Sequence, residues 1–487
     1  YMKIKSFILA ITFSFYVVSK TNAENYNAQI DALQNELLKI KQQMNSDKSK
    51  AYFKKGKGLS ISSMDGKYSF QIKGRAMWDM SAILGGNDKI DDGNCSQNCS
   101  RSEDIGTFGQ EFRRLRFTIK GELGDGWGFA FQPDFAETIS DDSSSGGKGV
   151  DVKDALIYKS IKGGGKFSFG NVKSAGGFWE NTSSNSLLFM ERPMYNEAAN
   201  LAHRAGIHYD TAGVTKPFHM KISLTSGNEG AWRQEQEDGD TIEDHWNISG
   251  AAHYTWARMN NYLPNFSLGK NHKMLVGASW TYEHLVDGNA RSIEARANGV
   301  HTLGEKIQDS NLANIDNYTY GGPQIAYTNG PLFLAGEYYF VHADRNIANI
   351  RNSITNTNQF QYGDYRADGY SAFIHYFLPW NSGNASVPIS EKKGAIGGVK
   401  CKAKNGCTAA KIMFEGLNFA HSENSTNGTD GKILHFGINH YFNSNVRLMI
   451  DAARGIYQGG TGMTTDAVGT NVTHNMSSVQ ARLHLKW

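Results

Sequence analysis

Five cations recur at alternating positions in two stretches that read as β-strands. Lys73 and Arg75 alternate with Ile72, Gly74 and Ala76; Arg114, Arg116 and Lys120 alternate with Leu115, Phe117 and Ile119. Residues two apart on a strand share a face. One face therefore carries guanidinium and ammonium groups, and the other carries large apolar side chains. A planar guanidinium donates two hydrogen bonds at once to a phosphate or carboxylate, and an ammonium adds a compact charge. Such a face suits anions. Inside a soluble sandwich it would be hard to bury, because unpaired buried charge is costly. In a membrane barrel it fits, with apolar groups toward lipid and cations toward a watery lumen. The reverse facing would cost about 2–4 kcal/mol for each charge at mid-membrane. Arg113 has the opposite parity and is expected at a membrane interface rather than in the pore.

The elements that must position these cations are hairpins. After the basic run comes the tight turn Gly124-Asp125-Gly126, then Trp127, Phe129 and Phe131 alternating with Gly128, Ala130 and Gln132. Asp-Gly between two alternating runs is a hairpin signal. A second hairpin is expected over Val152–Ser160 and Lys166–Val172, and alternating runs continue around Trp246, Met274, Tyr370 and Leu434. Short turns (329–331, 443–445) alternate with long loops (84–110, 138–150, 286–317, 455–474), as in outer-membrane barrels. The chain ends Val479, Ala481, Leu483, Leu485, Trp487, an alternating strand closed by an aromatic. The predicted fold class is all-β: an antiparallel transmembrane barrel of about 16 strands, covering 56–487.

Composition agrees with that architecture. The chain has 487 residues, mean hydropathy −0.48, 39% apolar residues, 53 glycines and 8 prolines. No run of about 18 apolar residues follows the N-terminus, which argues against membrane-spanning helices. Residues 1–23 read as a signal peptide, with Lys3 and Lys5 before the apolar run Ile8–Val18 and a small-residue cleavage site ending at Ala23. Three of the 50 basic residues lie in that leader, and the rest equal the 47 acidic ones. Any preference for anions must come from where charges sit, not from their sum. Tyr26, Ile30, Leu33, Leu37, Ile40 and Met44 form a heptad seam, so 24–55 is expected to be a periplasmic coiled-coil helix and linker. The alternative is a helix packed on its own barrel. Cys95/Cys99 and Cys401/Cys407 form two close pairs in polar loops, which suits local disulfides in an oxidising compartment.

Residues 173–203 lack alternation yet carry Phe178, Trp179, Leu187, Leu188, Phe189 and Met190. A long apolar loop is expected to pack on something, and the inside of the barrel wall is the natural place. Arg192 follows Phe189-Met190, and Arg204 opens the returning strand; both are further candidates to meet an anion. Glu111, Glu122, Asp134, Asp154 and Glu191 are available to neutralise the arginines.

Several segments together resemble the phosphate-selective porin O/P family: RRLRFTIKGELGDGWGFAFQPDF, VDVKDALIYKSIKGGGKFSFGNVK, NTSSNSLLFMERP, HRAGIHYD, GYSAFIHYFLPW and HFGINHYFNSNVRLMIDAARGI. The resemblance implies a homotrimer of 16-stranded barrels in the bacterial outer membrane, among lipid and lipopolysaccharide. It implies that 173–203 is the constriction loop, and that 379–407 is a periplasmic-side turn entering the pore. It also implies diffusion of small anions, phosphate or polyphosphate, past a ladder made here of Lys73, Arg75, Arg114, Arg116 and Lys120. No cofactor, nucleic acid or metal is expected. Enzymatic readings fare badly, since His203, His208 and His253 lie in strands without a nucleophile elbow. The competing readings are a general porin of weak selectivity and a structural or surface-interaction protein of the outer membrane.

Overall fold

A computed structural model describes residues 31–39, 49–54, 58–86, 108–136, 150–212, 214–215, 217–226, 246–257, 272–285, 291–302, 306–312, 315–345, 364–382, 385–419, 429–459 and 473–487. The signal peptide, Cys95 and Cys99 lie outside these residues, as does most of the heptad seam. Residues 31–39 are helical, with Leu33 and Leu37 exposed.

The alternating runs become strands in chain order. They are β1 Ser49–Lys54, β2 Gly58–Ser63, β3 Tyr68–Gly86, β4 Phe108–Leu123, β5 Trp127–Asp134, β6 Asp151–Ile161, β7 Gly165–Lys173, β8 His203–Asp210, β9 Phe218–Ser226, β10 Trp246–Ala257 and β11 Lys273–His284. There follow β12 Arg291–Arg296, β13 Lys306–Leu312, β14 Ile315–Asn329, β15 Leu332–Arg345, β16 Tyr365–Phe377, β17 Ile389–Ser390 and β18 Ala395–Ile396. The last are β19 Cys407–Asn418, β20 Thr429–Tyr441, β21 Val446–Gly459 and β22 Thr473–Lys486. Sixteen of them (β3–β11, β14–β16, β19–β22) form a closed antiparallel barrel. The first hairpin turns where expected, with positive φ at Gly124, Asp125 and Gly126. The ring closes between β22 and β3, from Val479↔Ala82 to Lys486↔Arg75. At the end of the seam Trp487 and Gly74 exchange backbone hydrogen bonds of 3.1 Å. Beyond Trp487, β2 takes over the edge of β3 (Leu59↔Ile72, Ile61↔Phe70), and β1 pairs with β2.

Parity holds along most strands. Phe117, Phe131, Ile157, Phe169, Ile207, Phe414 and Leu483 are exposed outward, while Thr118, Gln132, Ser168, His208, Glu415 and Arg482 are buried inside. The register shifts at several places among the described strands, and one of them falls in the basic run. The register of β3 and β4 passes from Met77↔Arg114 to Trp78↔Phe112, so Arg113 is an extra residue. Such a bulge reverses the alternation beyond it. Arg113 therefore lines the lumen beside Arg114, not a membrane interface as parity predicted.

Among the described residues three segments enter the lumen. Residues 174–202, with short helices at Phe178–Asn181 and Met194–Ala199, lie against the wall of β15, β16 and β19–β22. Phe178 stacks on Phe333 at 6.4 Å, Trp179 on Phe373 at 4.8 Å and Tyr195 on Tyr339 at 5.6 Å. Each large apolar group removed from water there contributes about 1.5–3 kcal/mol. The second segment is the β12–β13 hairpin with the turn after β12. Its Asn298 receives Tyr457 and reaches Ser478 Oγ at 3.1 Å, so part of the expected loop 286–317 turns inward. The third, residues 385–401, accepts a 2.8 Å hydrogen bond from Thr328 at the Val387 carbonyl and ends at a Cys401–Cys407 disulfide. Among the described residues no helix is long and apolar enough to cross a membrane.

Candidate functional site

The loop leaves one side of the lumen open. A cavity of about 630 Å³ lies between it and the inner face of β3–β7. Lys73 and Arg75 on β3, and Arg114, Arg116 and Lys120 on β4, all line it, as does Arg192 from the loop. Arg75 stands directly opposite Arg116 across the ladder. Like charges so placed destabilise a strand pair, so each needs a counter-charge or a wet surrounding.

The cations divide by how that need is met. Arg116 donates to Asp134 Oδ2 at 2.5 Å. Arg114 forms a fork on Glu191, at 3.0 and 2.9 Å, and Arg113 reaches the same carboxylate at 3.2 Å. A third guanidinium, Arg482 on β22, bonds Glu191 at 2.6 Å and Asp79 at 2.7 and 2.6 Å. Burial alone would raise the Glu191 carboxyl; the adjacent guanidinium groups outweigh it and hold the group well below the usual carboxylate range. Arg192 lies 3.5 Å from Glu180 and donates to the Trp179 and Thr182 carbonyls, both at 2.9 Å. Burial would likewise raise Glu180, yet Lys173 at 2.8 Å and Arg192 keep it at about 2. Arg113, Arg114, Arg192 and Arg482 thus fasten the loop, while Arg116 ties β4 to β5.

Lys73, Arg75, Lys120 and Lys393 are different. All four line the cavity, and among the described residues none has a carboxylate within ion-pairing distance of 4.0 Å. Arg75 bonds the Ser184 hydroxyl of the loop. Lys393 arrives from the opposite side, on the turn between β17 and β18. Burial lowers the affinity of its ammonium for a proton, and neighbouring Lys166 lowers it further. Asn181, Ser183 and Asn185 add uncharged polar groups on the loop side. The surface can therefore offer cations and neutral donors to an anion entering from bulk water.

Arg204 does not join them. It is buried, donates to the His203 carbonyl at 3.0 Å and lies outside the cavity lining. Sequence reasoning misplaced Arg113, did not single out Lys393 among the lysines of 379–407 and missed Arg482. The first is displaced by a bulge and the second sits in a segment without periodicity. Arg482 was accessible by parity, since its neighbours Ala481 and Leu483 face lipid. Away from the cavity, His342, Asp344 and Asp364 bring potential metal ligands within 4.8 Å of one another. They sit partly exposed, with His342 bonded to Asp344 at 2.9 Å, as in an ordinary surface pair.

Solved outer-membrane proteins are among the structures to which the chain is similar. A loop-deletion form of OmpT of Vibrio cholerae is 13% identical, with 86% of this chain and 100% of that one covered and a TM-score of 0.46. The outer-membrane channel DcaP of Acinetobacter baumannii is 11% identical, with 87% and 99% covered and a TM-score of 0.45. OmpF of Salmonella typhi, in complex with daunomycin, is 10% identical, with 86% and 98% covered and a TM-score of 0.45. No curated protein matches the chain. The family described as phosphate-selective porin O and P matches residues 83–487, and with its cation-lined barrel the chain belongs to that family as a porin channel of the bacterial outer membrane.

Proposed function

We propose that this porin passes small anions, phosphate or its polymers above all, along the cavity between the loop and β3–β7. One observation carries the reading: Lys73, Arg75, Lys120 and Lys393 converge on that cavity without ion-paired carboxylates among the described residues. Fixed positive charge in a narrow, low-dielectric passage raises the local concentration of anions and retards cations. Charges that fasten the loop contribute less, because their fields are cancelled at contact distance. Lys73, Arg75, Arg114, Arg116, Lys120 and Arg192 are thus assigned to the passage in two grades, the lysines and Arg75 as binding groups and the paired arginines as its frame.

The working assembly in this proposal is a homotrimer, its lipid-facing belt set in lipid and lipopolysaccharide. Residues 1–23 would direct export, and 24–55 would join three copies through a short coiled coil. The exposed Leu33 and Leu37 of the described helix support that role.

Single channels in a planar bilayer under a salt gradient test the reading. A reversal potential of anion-selective sign, with chloride current blocked by added phosphate, is expected. Cation selectivity would overturn it. Anion selectivity without block by phosphate would leave a general anion porin.

A further inference from the structure

The outer wall carries a pair of cations among its lipid-facing groups. On β20 and β21, Lys432 and Arg454 point outward and are exposed. Lys432 stands opposite Ile456, and Arg454 opposite Leu434, so the two cations are diagonal neighbours across the ladder. Side chains so placed start about 7–8 Å apart, and long ones can close on one small group. Arg454 donates to Ser477 Oγ on β22 at 2.7 Å, which leaves most of its N–H groups for another partner. The other ladder partner of Lys432 is Gly416. The Tyr370 ring lies across that glycine, where a Cβ would stand 2.3–2.6 Å from the ring and its hydroxyl. Among the described residues neither cation forms an ion pair with a carboxylate. The acid on the same face, Asp430, lies one step farther along β20, opposite Asn418 and Gln458.

Their height on the wall follows from the strands. A short turn, 442–445, joins β20 to β21, and the other ends lead into the longer segments 420–428 and 460–472. In outer-membrane barrels the short turns are periplasmic and the longer loops extracellular. Lys432 is nine residues from Tyr441, and Arg454 eight from Val446. With a rise of about 3.3 Å per residue and a tilt of about 45°, both lie about 20 Å up the wall, near the outer margin of an apolar band about 25 Å tall. Toward the turn from them, Phe414, Leu434, Phe436 and Ile438 are 41–54% exposed. A cation facing lipid is costly, least so at the margin, where its long stem lets the charged head reach polar groups.

The rim elsewhere has a different charge. On β15 and β16 the outward groups His342, Asp344, Asp364, Arg366 and Asp368 form an acidic set, with Asp344 2.9 Å from His342 and Asp368 accepting from Asn418 at 3.1 Å. An anion is disfavoured there and attracted at Lys432 and Arg454. A group above apolar rings and aliphatic chains, met by a guanidinium, an ammonium and a phenol hydroxyl, suits a phosphate carried on an acylated molecule. We propose that Lys432, Arg454 and the Tyr370 hydroxyl bind a phosphate of lipopolysaccharide, the acyl chains lying over Leu434 and Phe436. The site is on the outside of the barrel and independent of the anion passage.

The test titrates folded, delipidated porin in detergent with rough lipopolysaccharide, either intact or with its lipid A phosphates removed, and counts bound lipid by native mass spectrometry. Lys432→Gln with Arg454→Gln is expected to weaken binding of the intact form about tenfold or more and to leave binding of the dephosphorylated form unchanged. Equal affinity of parent and variant for the intact form would overturn the proposal. So would equal affinity of the parent for both forms. Arg366→Gln, on the acidic rim, should change binding by less than about twofold; a loss matching that of the pair would overturn the assignment to this patch. Inorganic phosphate in large excess should leave the lipid bound, and its displacement would overturn the lipid as occupant in favour of the free ion. Should the double variant fail to fold, Lys432→Met alone, which loses no hydrogen bond among the described residues, should weaken binding about threefold or more, and no change would overturn the proposal. Ion selectivity of the channel is not read in any arm, so failure here leaves the anion reading standing, and the reverse.

Discussion

Two walls of the lumen carry the same residue types and put them to opposite uses. On β19–β22, Lys411, Arg447 and Arg482 are nearly inaccessible, and each donates to a loop carbonyl, at Leu188, Leu187 and Met190. Each also has a polar partner beside it: Asp451 for Lys411, His484 for Arg447, and Asp79 with Glu191 for Arg482. On β3 and β4, Lys73, Arg75 and Lys120 face a cavity instead. What separates the walls is the course of residues 174–202, which press their backbone on one and meet the other through the side chains of Ser184 and Glu191. Irregular backbone brought into a barrel must have its amides and carbonyls satisfied, and the first wall supplies those partners. A lumen-facing arginine is therefore held in the structure or left facing the cavity according to whether loop backbone or a carboxylate reaches it.

The largest expected effect breaks the fastening wall. Arg482→Leu leaves Asp79 and Glu191 without their strongest shared partner. Losing one member of a buried ion network costs about 3–5 kcal/mol. The folded barrel should lose its resistance to detergent at a clearly lower temperature, and open-channel current should become noisy as the loop loosens. An unchanged melting profile would mean the network is replaceable.

Next comes the cavity wall. Lys73→Glu with Lys120→Glu reverses two charges that fasten nothing. Each is worth about 1–4 kcal/mol to an ion a few ångströms away, so the anion preference should fall about tenfold or more while thermal stability barely changes. A loss of stability as large as that of Arg482→Leu would erase the distinction between the walls.

A smaller effect concerns pH. Burial and Lys166 lower the proton affinity of Lys393, so its charge is lost on raising pH before that of an ordinary lysine. Anion selectivity should decline as pH rises through that range. Lys393→Arg, charged up to about pH 12, should remove the decline. A decline of the same size in both proteins would assign it to other lysines. Arg116→Ala should change selectivity least, because Asp134 already offsets Arg116 at 2.5 Å. A shift equal to that of the lysine pair would show that contact pairing does not silence a charge here.

Most of the barrel was legible because lipid enforces a period of two. Phe117, Phe131 and Leu483 can face hydrocarbon only if Arg116, Gln132 and Arg482 face inward. The loop was legible because Phe178, Trp179 and Phe189 could not remain in water. Two things escaped for the same reason, that they are set by contacts distant in sequence. The bulge at Arg113 has no local signature, being visible only once β3 is laid beside β4. The sorting of arginines into those that hold the loop and those left facing the cavity depends on Glu191, which comes from the loop and meets Arg482 across almost three hundred residues.

The seam between β3 and β22 also sets an order of events in assembly. Its pairs join residues about four hundred apart in the chain, and Trp487 completes it. The cylinder cannot shut before β22 reaches β3, and until it does one edge of β3 lies bare. Bare edges invite pairing with the wrong chain. Strand β2 comes just before β3 in sequence and needs no distant partner to reach it, so its four paired residues can cover the lower part of that edge early. The β1–β2 hairpin thus covers the part of the β3 edge that β22 does not pair, and leaves free the stretch that β22 takes.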